Sequence, residues 1–162
     1  MPSRLEITPD LITQIADLVV DALNAGEFSQ TFEAKRYANR THALKDTGPL
    51  RVAVMRGAIR ETKATRRSVD HEFDIAVAVI QKIPEPAAGV SIEDTEQELS
   101  DALLVFAQEL AKSLRETPLA NLADGERAIH AQNEIHNPYN PDQFEKLRLF
   151  VCPLTATYKV LG

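Results

Sequence analysis

The sequence predicts an α+β domain with a single, mostly antiparallel sheet and two main helices packed on one face, in the order α-β-β-β-(β)-α-β-β. Two long segments repeat apolar residues at helical spacing, and several shorter segments alternate apolar with polar residues, as half-buried strands do. Helices interspersed among such strands are typical of an α+β fold. A chain of 162 residues with 44% hydrophobic content fits one domain over residues 1–162.

The first helix is predicted to start at Thr8, with this threonine as the N-cap, Pro9 at the first helical position and Asp10 in the first turn. Gly26 is predicted to end it. The apolar residues between them at helical spacing are Leu11, Ile15, Leu18 and Ala22, widened by Ile12, Val19 and Leu23.

Strands are predicted for the region between the two helices. Residues 28–38 alternate loosely and are predicted to form a strand, residues 39–49 a loop, and residues 50–56 a second strand. Apolar and polar residues alternate strictly from Phe73 to Val79, which predicts a half-buried strand. Residues 59–65 are predicted to pair with it in a charged hairpin over about 56–80, whose tip carries Arg66-Arg67-Ser68.

The second long helix is predicted over residues 92–116, after a Pro- and Gly-containing linker at about 84–91, and Pro118 ends it. Its apolar face consists of Leu99, Leu103, Phe106, Leu110 and Leu114. Its first turns are acidic, which suits the positive end of a helix dipole. These acids are Glu93, Asp94, Glu96, Glu98 and Asp101.

The C-terminal region is predicted to contain two strands. Residues 126–133 form the first, residues 136–142 a proline-rich loop, and residues 141–147 a single helical turn. The last strand has one apolar face, formed by Phe150, Cys152, Leu154, Ala156, Tyr158 and Val160. Pro153 cannot donate a ladder hydrogen bond, so this strand is predicted to lie at an edge or to contain a bulge there.

Several functional classes lack their signatures. The glycine-rich nucleotide-binding motifs, the HExxH zinc motif and the GxSxG hydrolase motif are missing from the sequence. The lone Cys152 allows no intrachain disulfide and no zinc site with several cysteines. The N-terminus lacks the apolar core of a signal peptide, and no apolar run is long enough to span a membrane, so a soluble protein made in a cytoplasm is expected.

Few residues suggest catalysis or metal binding. His130, Glu134 and His136 would make the core of a small enzyme site only if other ligands joined them, and surface histidines are the more common interpretation. Cys152 lies on the apolar face of the last strand, where a thiol is a small buried hydrophobe. No enzyme activity, cofactor or metal is therefore expected.

The charged hairpin is the most distinctive feature. Residues 56–67 contain five basic residues against one acid, in a chain of net charge −6. This stripe could bind nucleic acid, although interleaved aromatics and a recognition helix are missing. The following acids, which include Asp70, make a complementary protein–protein contact at least as plausible, and a solvated hairpin tip is the third interpretation.

Three passages resemble the tail terminator proteins of long-tailed bacteriophages and prophages, also called tail completion or head–tail joining proteins. The first helix leads into NAGEFSQTFEAKRYA, and LRVAVMRG then runs into the charged hairpin. After the acidic helix comes QNEIHNPYNPDQFEKLRLFVCPLTATYKV, so the similarity covers about residues 8–160. The family has no catalytic motif, and the interruption by Pro153 departs from the continuous last strand expected of it.

The resemblance implies a structural virion protein, assembled in the host cytoplasm and located at the tail–neck junction. Such subunits form a ring, typically a hexamer, that caps the tail tube, ends its polymerisation and joins it to a neck protein of the head. DNA passes through the lumen without specific binding. Another neck or connector component is the nearest alternative.

A head-to-tail ring needs two different complementary surfaces on each subunit. The basic residues Arg60, Lys63, Arg66 and Arg67, with Asp70 beside them, are our candidates for one surface. The acids of the second helix, Glu93, Asp94, Glu96, Glu98 and Asp101, are our candidates for the other.

Overall fold

The computed structural model describes residues 10–39, 43, 50–63, 65, 69–83, 87–120, 122, 126–136 and 149–161. In this part of the chain, two helices and one five-stranded mixed sheet form the fold, which confirms the α+β prediction. The elements in chain order are α1 (Leu11–Ala25), β1 (Glu33–Arg36), β2 (Arg51–Lys63), β3 (Val69–Lys82), α2 (Ile92–Glu116), β4 (Arg127–Ile135) and β5 (Leu149–Leu161).

The strands lie in the order β1-β2-β3-β5-β4. β1 runs parallel to β2, and the other three pairings are antiparallel, as predicted for a mostly antiparallel sheet. The charged hairpin is confirmed as the β2–β3 pair. The segments 50–56 and 59–65, predicted as separate, form one strand of 13 residues, in which the register shifts between Arg56 and Ile59.

The prediction for Pro153 was wrong, because β5 lies between β3 and β4 and keeps an unbroken register with β3 through the pair Ala78↔Pro153. β4 ends one step earlier, at Ile135↔Leu154, and the His136 N–H donates to the Pro153 carbonyl over 2.9 Å. The N–H and C=O of one strand residue point to the same side. The donor that proline lacks therefore falls at the end of the β4 ladder, where the described residues form no further strand pair.

β1 is shorter than the predicted strand at 28–38. The Asn24 side chain of α1 bonds both backbone groups of Ala34, donating to its carbonyl over 3.0 Å and accepting from its N–H over 2.9 Å. Upstream, Phe28 and Phe32 pack edge-to-face on Phe106 of α2, with ring centroids 6.2 and 5.1 Å away. This aromatic cluster, not a strand ladder, holds the chain before β1.

α1 starts later than predicted. Asp10 is its N-cap and accepts a hydrogen bond from the Thr13 N–H over 3.0 Å, whereas Thr8 and Pro9 lie outside the described residues. The side-chain and backbone hydrogen bonds from Thr13 also lower the pKa of Asp10. Gly26 is the C-terminal cap as predicted, although its φ of −79° is ordinary extended backbone.

α2 has the predicted bounds, 92–116, and Ser91 caps it by accepting from the Asp94 N–H over 3.0 Å. Before it, Gly89 has a φ of +83° in the turn closed by the Val90 N–H and the Ala87 carbonyl, which favours glycine. The rest of the predicted linker, 84–86, lies outside the described residues, as do most of the loop at 39–49 and all of the turn at 141–147.

The main core lies between the two helices and one face of the sheet. The predicted apolar faces of α2, β3 and β5 are buried there, with only Leu99 and Val160 partly exposed. In α1 the buried line shifts slightly from the predicted one and consists of Ile12, Ile15, Ala16, Val19 and Leu23. We call the opposite side of the sheet the open face, and it carries a smaller apolar cluster that includes Ala53, Met55, Ala78, Ile80 and Val151.

Candidate functional site

The outer half of the β2–β3 hairpin extends beyond the helical layer. β2 is buried from Arg51 to Val54 and exposed from Arg56 to Lys63, and even Ile59, on the side of the helices, is 55% exposed. We call residues 57–63 and 69–73 the arm. Gly57 permits the close approach of its two strands, because a Cβ there would lie 2.8 Å from the Asp74 carbonyl oxygen. The predicted candidates Arg60, Lys63 and Asp70 lie on this arm, while Arg66 and Arg67 lie outside the described residues.

An ion-pair network crosses the open face at the base of the arm. The Arg60 guanidinium on β2 donates two hydrogen bonds to Asp74 on β3, at 2.6 and 2.8 Å, and also bonds Glu72 at 3.2 Å. On β5, the Thr157 hydroxyl donates to Asp74 over 2.7 Å, and Lys159 lies 3.5 Å from Glu72. The network therefore ties three adjacent strands together.

The electrostatics of the network centre on Asp74, whose side chain is only 17% exposed. Hydrogen bonds from Arg60 lower the pKa of Asp74 despite its partial burial, and the Thr157 hydroxyl adds to this effect. The same carboxylates raise the pKa of Arg60. Both groups are charged at any physiological pH, and their opposite charges compensate each other within the subunit.

On the helical side of the arm, Glu61 and His71 face each other across the strand pair. The His71 Nε2 atom lies 3.1 Å from a Glu61 carboxylate oxygen, and the His71 ring stacks on Phe73 with centroids 6.1 Å apart. Of the basic stripe at 56–67, Arg56 donates to the Thr13 hydroxyl over 3.3 Å and Arg60 is held by carboxylates. Lys63 is exposed and has no ion pair with the described residues.

These contacts bear on the nucleic-acid interpretation of the stripe. Phosphate binding depends on cations whose charge is not already neutralised within the protein. Arg60 is neutralised by two carboxylates, and Glu61 lies on the other side of the same strand. In the described part of the stripe, Arg60 is therefore neutralised, while Arg56 and Lys63 have no acid partner among the described residues, so the stripe offers phosphate fewer free cations than the sequence suggests.

The acids of α2 are arranged differently. Glu93, Asp94, Glu98 and Asp101 are exposed and Glu96 is half-buried. None of these five makes a salt bridge with another described residue. The first turns of α2 thus present negative charge that the described part of the subunit leaves uncompensated.

The contacts of α2 show that its start and the arm lie at opposite ends of the sheet. Phe106 of α2 packs on Phe32, the residue before β1. β1 begins opposite Arg51, which is the first and buried residue of β2, so Phe106 lies near the end of the sheet that is far from the arm. Further along α2, the Ala111 carbonyl accepts from the Asn133 side chain, and after the helix Leu119 bridges Ala128, which is at the level of the arm. α2 therefore runs towards the arm, and its acidic turns lie beyond the other end.

The histidine site considered from the sequence assembles only in part: His136 Nδ1 lies 3.8 Å from a Glu134 carboxylate oxygen, but His130 lies on the other face of the sheet. His130 faces the helical layer, where its ring is edge-to-face with Tyr158 and its Nε2 atom lies 2.7 Å from Asn133 Oδ1. Glu134 instead lines a depression of about 400 Å³ on the open face, beside Arg60, Asp74 and Thr157. The described residues contain no group of three or more possible metal ligands.

Cys152 is buried as predicted, and this burial raises the pKa of its thiol to about 11. A thiol in such a setting is inert at neutral pH. No helix among the described residues is long and apolar enough to cross a membrane.

The ion-pair network is the feature that sequence reasoning missed. Alternation along β3 puts Glu72 and Asp74 on the non-core face, which was visible in the sequence. Their partners could not be identified, because the pairs Arg60↔Glu72 and Asp74↔Thr157 depend on the register of three strands. The sequence matches no known protein-family model, and no curated protein is similar to it.

Proposed function

We propose that this chain is a structural subunit of a phage or prophage virion, which forms a ring on the end of the tail tube. The ring ends tube polymerisation and offers a docking surface to the neck of the head. The observation that supports this proposal is the placement of two different charged surfaces at opposite ends of one α+β domain. The arm lies at one end, and the uncompensated acids of α2 lie at the other.

This placement suits head-to-tail association. Heterologous contact between identical subunits requires two distinct patches that face in different directions, and a ring closes when the rotation between neighbours closes. A charged arm held stiff by Arg60 and Asp74 loses little further freedom on contact, which favours association. The resemblance to tail terminators supplies the expected hexameric number and the tail-tube and neck partners.

The overall charge is compatible with a lumen through which DNA passes. The chain carries a net charge of −6, and like charge does not retain a polyanion. A DNA-binding accessory role would instead need free cations along residues 56–67, and both described arginines there are bonded within the subunit. Another neck or connector component would also form a ring from such subunits. The site at which the ring attaches, the tail tube or the head, distinguishes that role from tail capping.

The test uses purified protein mixed with tail tubes of the phage or prophage that encodes it, imaged by negative-stain electron microscopy. The wild-type chain should form a ring at one end of each tube and prevent further growth with added tube protein. Rings that attach only to the portal or neck end of heads would instead support the connector role. Tubes that stay bare and continue to elongate would overturn the proposal.

Charge reversal tests the two surfaces. The double variant Arg66→Glu/Arg67→Glu should lose capping, and so should Glu93→Lys/Asp94→Lys, because like charges then meet at the interface. A chain with all four substitutions should regain capping if the two surfaces meet each other, since the complementarity is then exchanged, and should stay inactive if each surface meets a different partner. The control is Lys112→Glu/Arg115→Glu, two exposed residues of α2 outside both surfaces, which should cap normally. Normal capping by either reversed variant would show that these charges do not form the contact.

A further inference from the structure

The outer edge of the arm is an unpaired strand edge. β1 pairs with β2 only from Arg51 to Val54, and the last bond on this side is from the Tyr37 N–H to the Val54 carbonyl. From Met55 to Lys63, no strand among the described residues lies along the outer side of β2. Such an edge presents alternate N–H and C=O groups to any extended chain that approaches it.

The described cations of this edge give it little protection against pairing, although β2 carries a bulge between Arg56 and Ile59. Edge strands in monomers commonly carry cations that reach outwards and block another strand. Here the Arg60 guanidinium is turned inwards over β3 to Asp74, and Arg56 is turned to Thr13 of α1. Between them, the Ile59 side chain is 55% exposed. Among the described residues of this edge, Lys63 at the end of the strand is the one cation that is not bonded within the subunit.

β4 forms the other edge of the sheet, and its unpaired stretch lies at the same position along the strands as the unpaired stretch of β2. The register connects Ile59 through Phe73 and Tyr158 to His130, and Arg56 through Ile75 and Ala156 to Asn133. Leu119 bridges β4 at Ala128, and no strand among the described residues covers the stretch that follows, 129–135. Ile129, at the start of that stretch, is 47% exposed.

We propose that the β2 edge of the arm pairs with the β4 edge of a second copy of this chain, so that neighbouring subunits share one continuous sheet. This inference rests on the proposed ring and assigns a different contact between its subunits. Because the β2 and β4 edges meet at one level, the arm and the acidic start of α2 stay at opposite ends of the strands, where they are free to face the tube and the neck. β2 and β5 run in one direction and β3 and β4 in the other, so the block β2-β3-β5-β4 ends in strands of opposite direction. Head-to-tail addition of copies therefore continues the antiparallel alternation from one subunit to the next.

Charge favours pairing of the β2 edge with the β4 edge of a second copy over twofold pairing of two β2 edges. Antiparallel pairing of β2 with a second β2 would bring together two strands that each carry Arg56 and Lys63 against the single acid Glu61, since Arg60 is already neutralised by acids of β3. Like charges opposite each other destabilise a strand pair. β4 carries Arg127 and Glu134, which balance, so its edge does not repel β2.

The test is cross-linking between single-cysteine variants. Ala58→Cys lies on the β2 edge and Gln132→Cys lies at the same level on the β4 edge, and both positions are exposed. The native Cys152 is buried and unreactive, so it can stay. A short bis-maleimide should join the two variants only when they are mixed, both on tail tubes and at high concentration in solution. A chain with both cysteines should give a ladder that ends at the closed ring.

The cross-linking results distinguish failure of the shared sheet from failure of the capping function. Caps visible on tubes without a cross-link between Ala58→Cys and Gln132→Cys overturn the shared sheet and leave the capping function standing. Dimers of Ala58→Cys alone show twofold pairing of arms, which also overturns it. The mixed cross-link in solution with bare tubes supports the strand pairing and overturns the capping function.

A surface substitution gives an independent check. Ile59→Lys puts an outward charge on the β2 edge, as natural edge strands do, and should abolish the mixed cross-link and cap formation. Val105→Lys is the matched control, because Val105 is an apolar residue of similar exposure, 56%, that lies on α2 and not on a strand edge. Equal urea midpoints for the two variants would establish that both fold. Cross-linking by Ile59→Lys at the wild-type level would overturn the inference.

Discussion

Replacement of Asp74 by asparagine should destabilise the domain by about 1–2 kcal/mol at neutral pH. Asp74 accepts two hydrogen bonds from Arg60 and one from Thr157, and its side chain is only 17% exposed. Hydrogen bonds to charged groups contribute about 1.5–3 kcal/mol each when well shielded, whereas exposed ion pairs contribute about 0–1 kcal/mol. The amide of asparagine keeps one acceptor but loses the charge, so an intermediate loss is expected.

The difference between wild type and Asp74→Asn should depend on pH. The pKa of Asp74 is lowered in the folded protein, so its stabilising contribution is fully present above the ordinary aspartate pKa of about 4. That contribution is lost as the pH falls through the lower folded pKa, where the carboxylate takes up a proton. Asparagine has no such titration, and the two stability curves should converge in acid.

The assay is equilibrium unfolding in urea, followed by circular dichroism, at pH values from neutral to strongly acidic. The control is Asp70→Asn, two pairs along the same face of β3, where the carboxylate is exposed and no described residue bonds it. This control should change the free energy of unfolding by less than about 0.5 kcal/mol. Equal stability of Asp74→Asn and wild type at neutral pH, or a difference that persists unchanged in strong acid, would refute the reasoning.

Three further outcomes follow from individual side chains. The Tyr158 hydroxyl is buried and has no hydrogen-bond partner among the described residues. Tyr158→Phe should therefore unfold at the same or a higher urea concentration than wild type. A decrease of more than about 1 kcal/mol in the free energy of unfolding would show that the hydroxyl has a partner. Ser91→Ala removes the cap of α2 and should cost about 1 kcal/mol, which Ser91→Asp should restore, as measured by thermal unfolding. Cys152 should resist a thiol reagent at pH 8 while the protein is folded and react at once in urea; rapid labelling of the native protein would contradict its burial.

The local elements were largely predictable because their signals are local. α2 was predicted with its correct bounds, since the spacing of Leu103, Phe106, Leu110 and Leu114 follows the helical period over several turns. The inward faces of β3 and β5 were predictable for the same reason, with a period of two. The short β1 was not, because the chain before it is held by the packing of Phe28 and Phe32 on Phe106 of α2, a contact between distant segments.

What the sequence alone determined about this protein is the fold class, the faces of its elements and the charged character of the hairpin and of the start of α2, because periodicity and composition act over neighbouring residues. Only the tertiary structure decided that β5 is an inner strand, that Arg60 is neutralised by Asp74 and Glu72, and that an open edge of β2 lies level with that of β4. These properties depend on which distant segments pair and in which register. Pairing of that kind depends on long-range packing that no short stretch of sequence encodes.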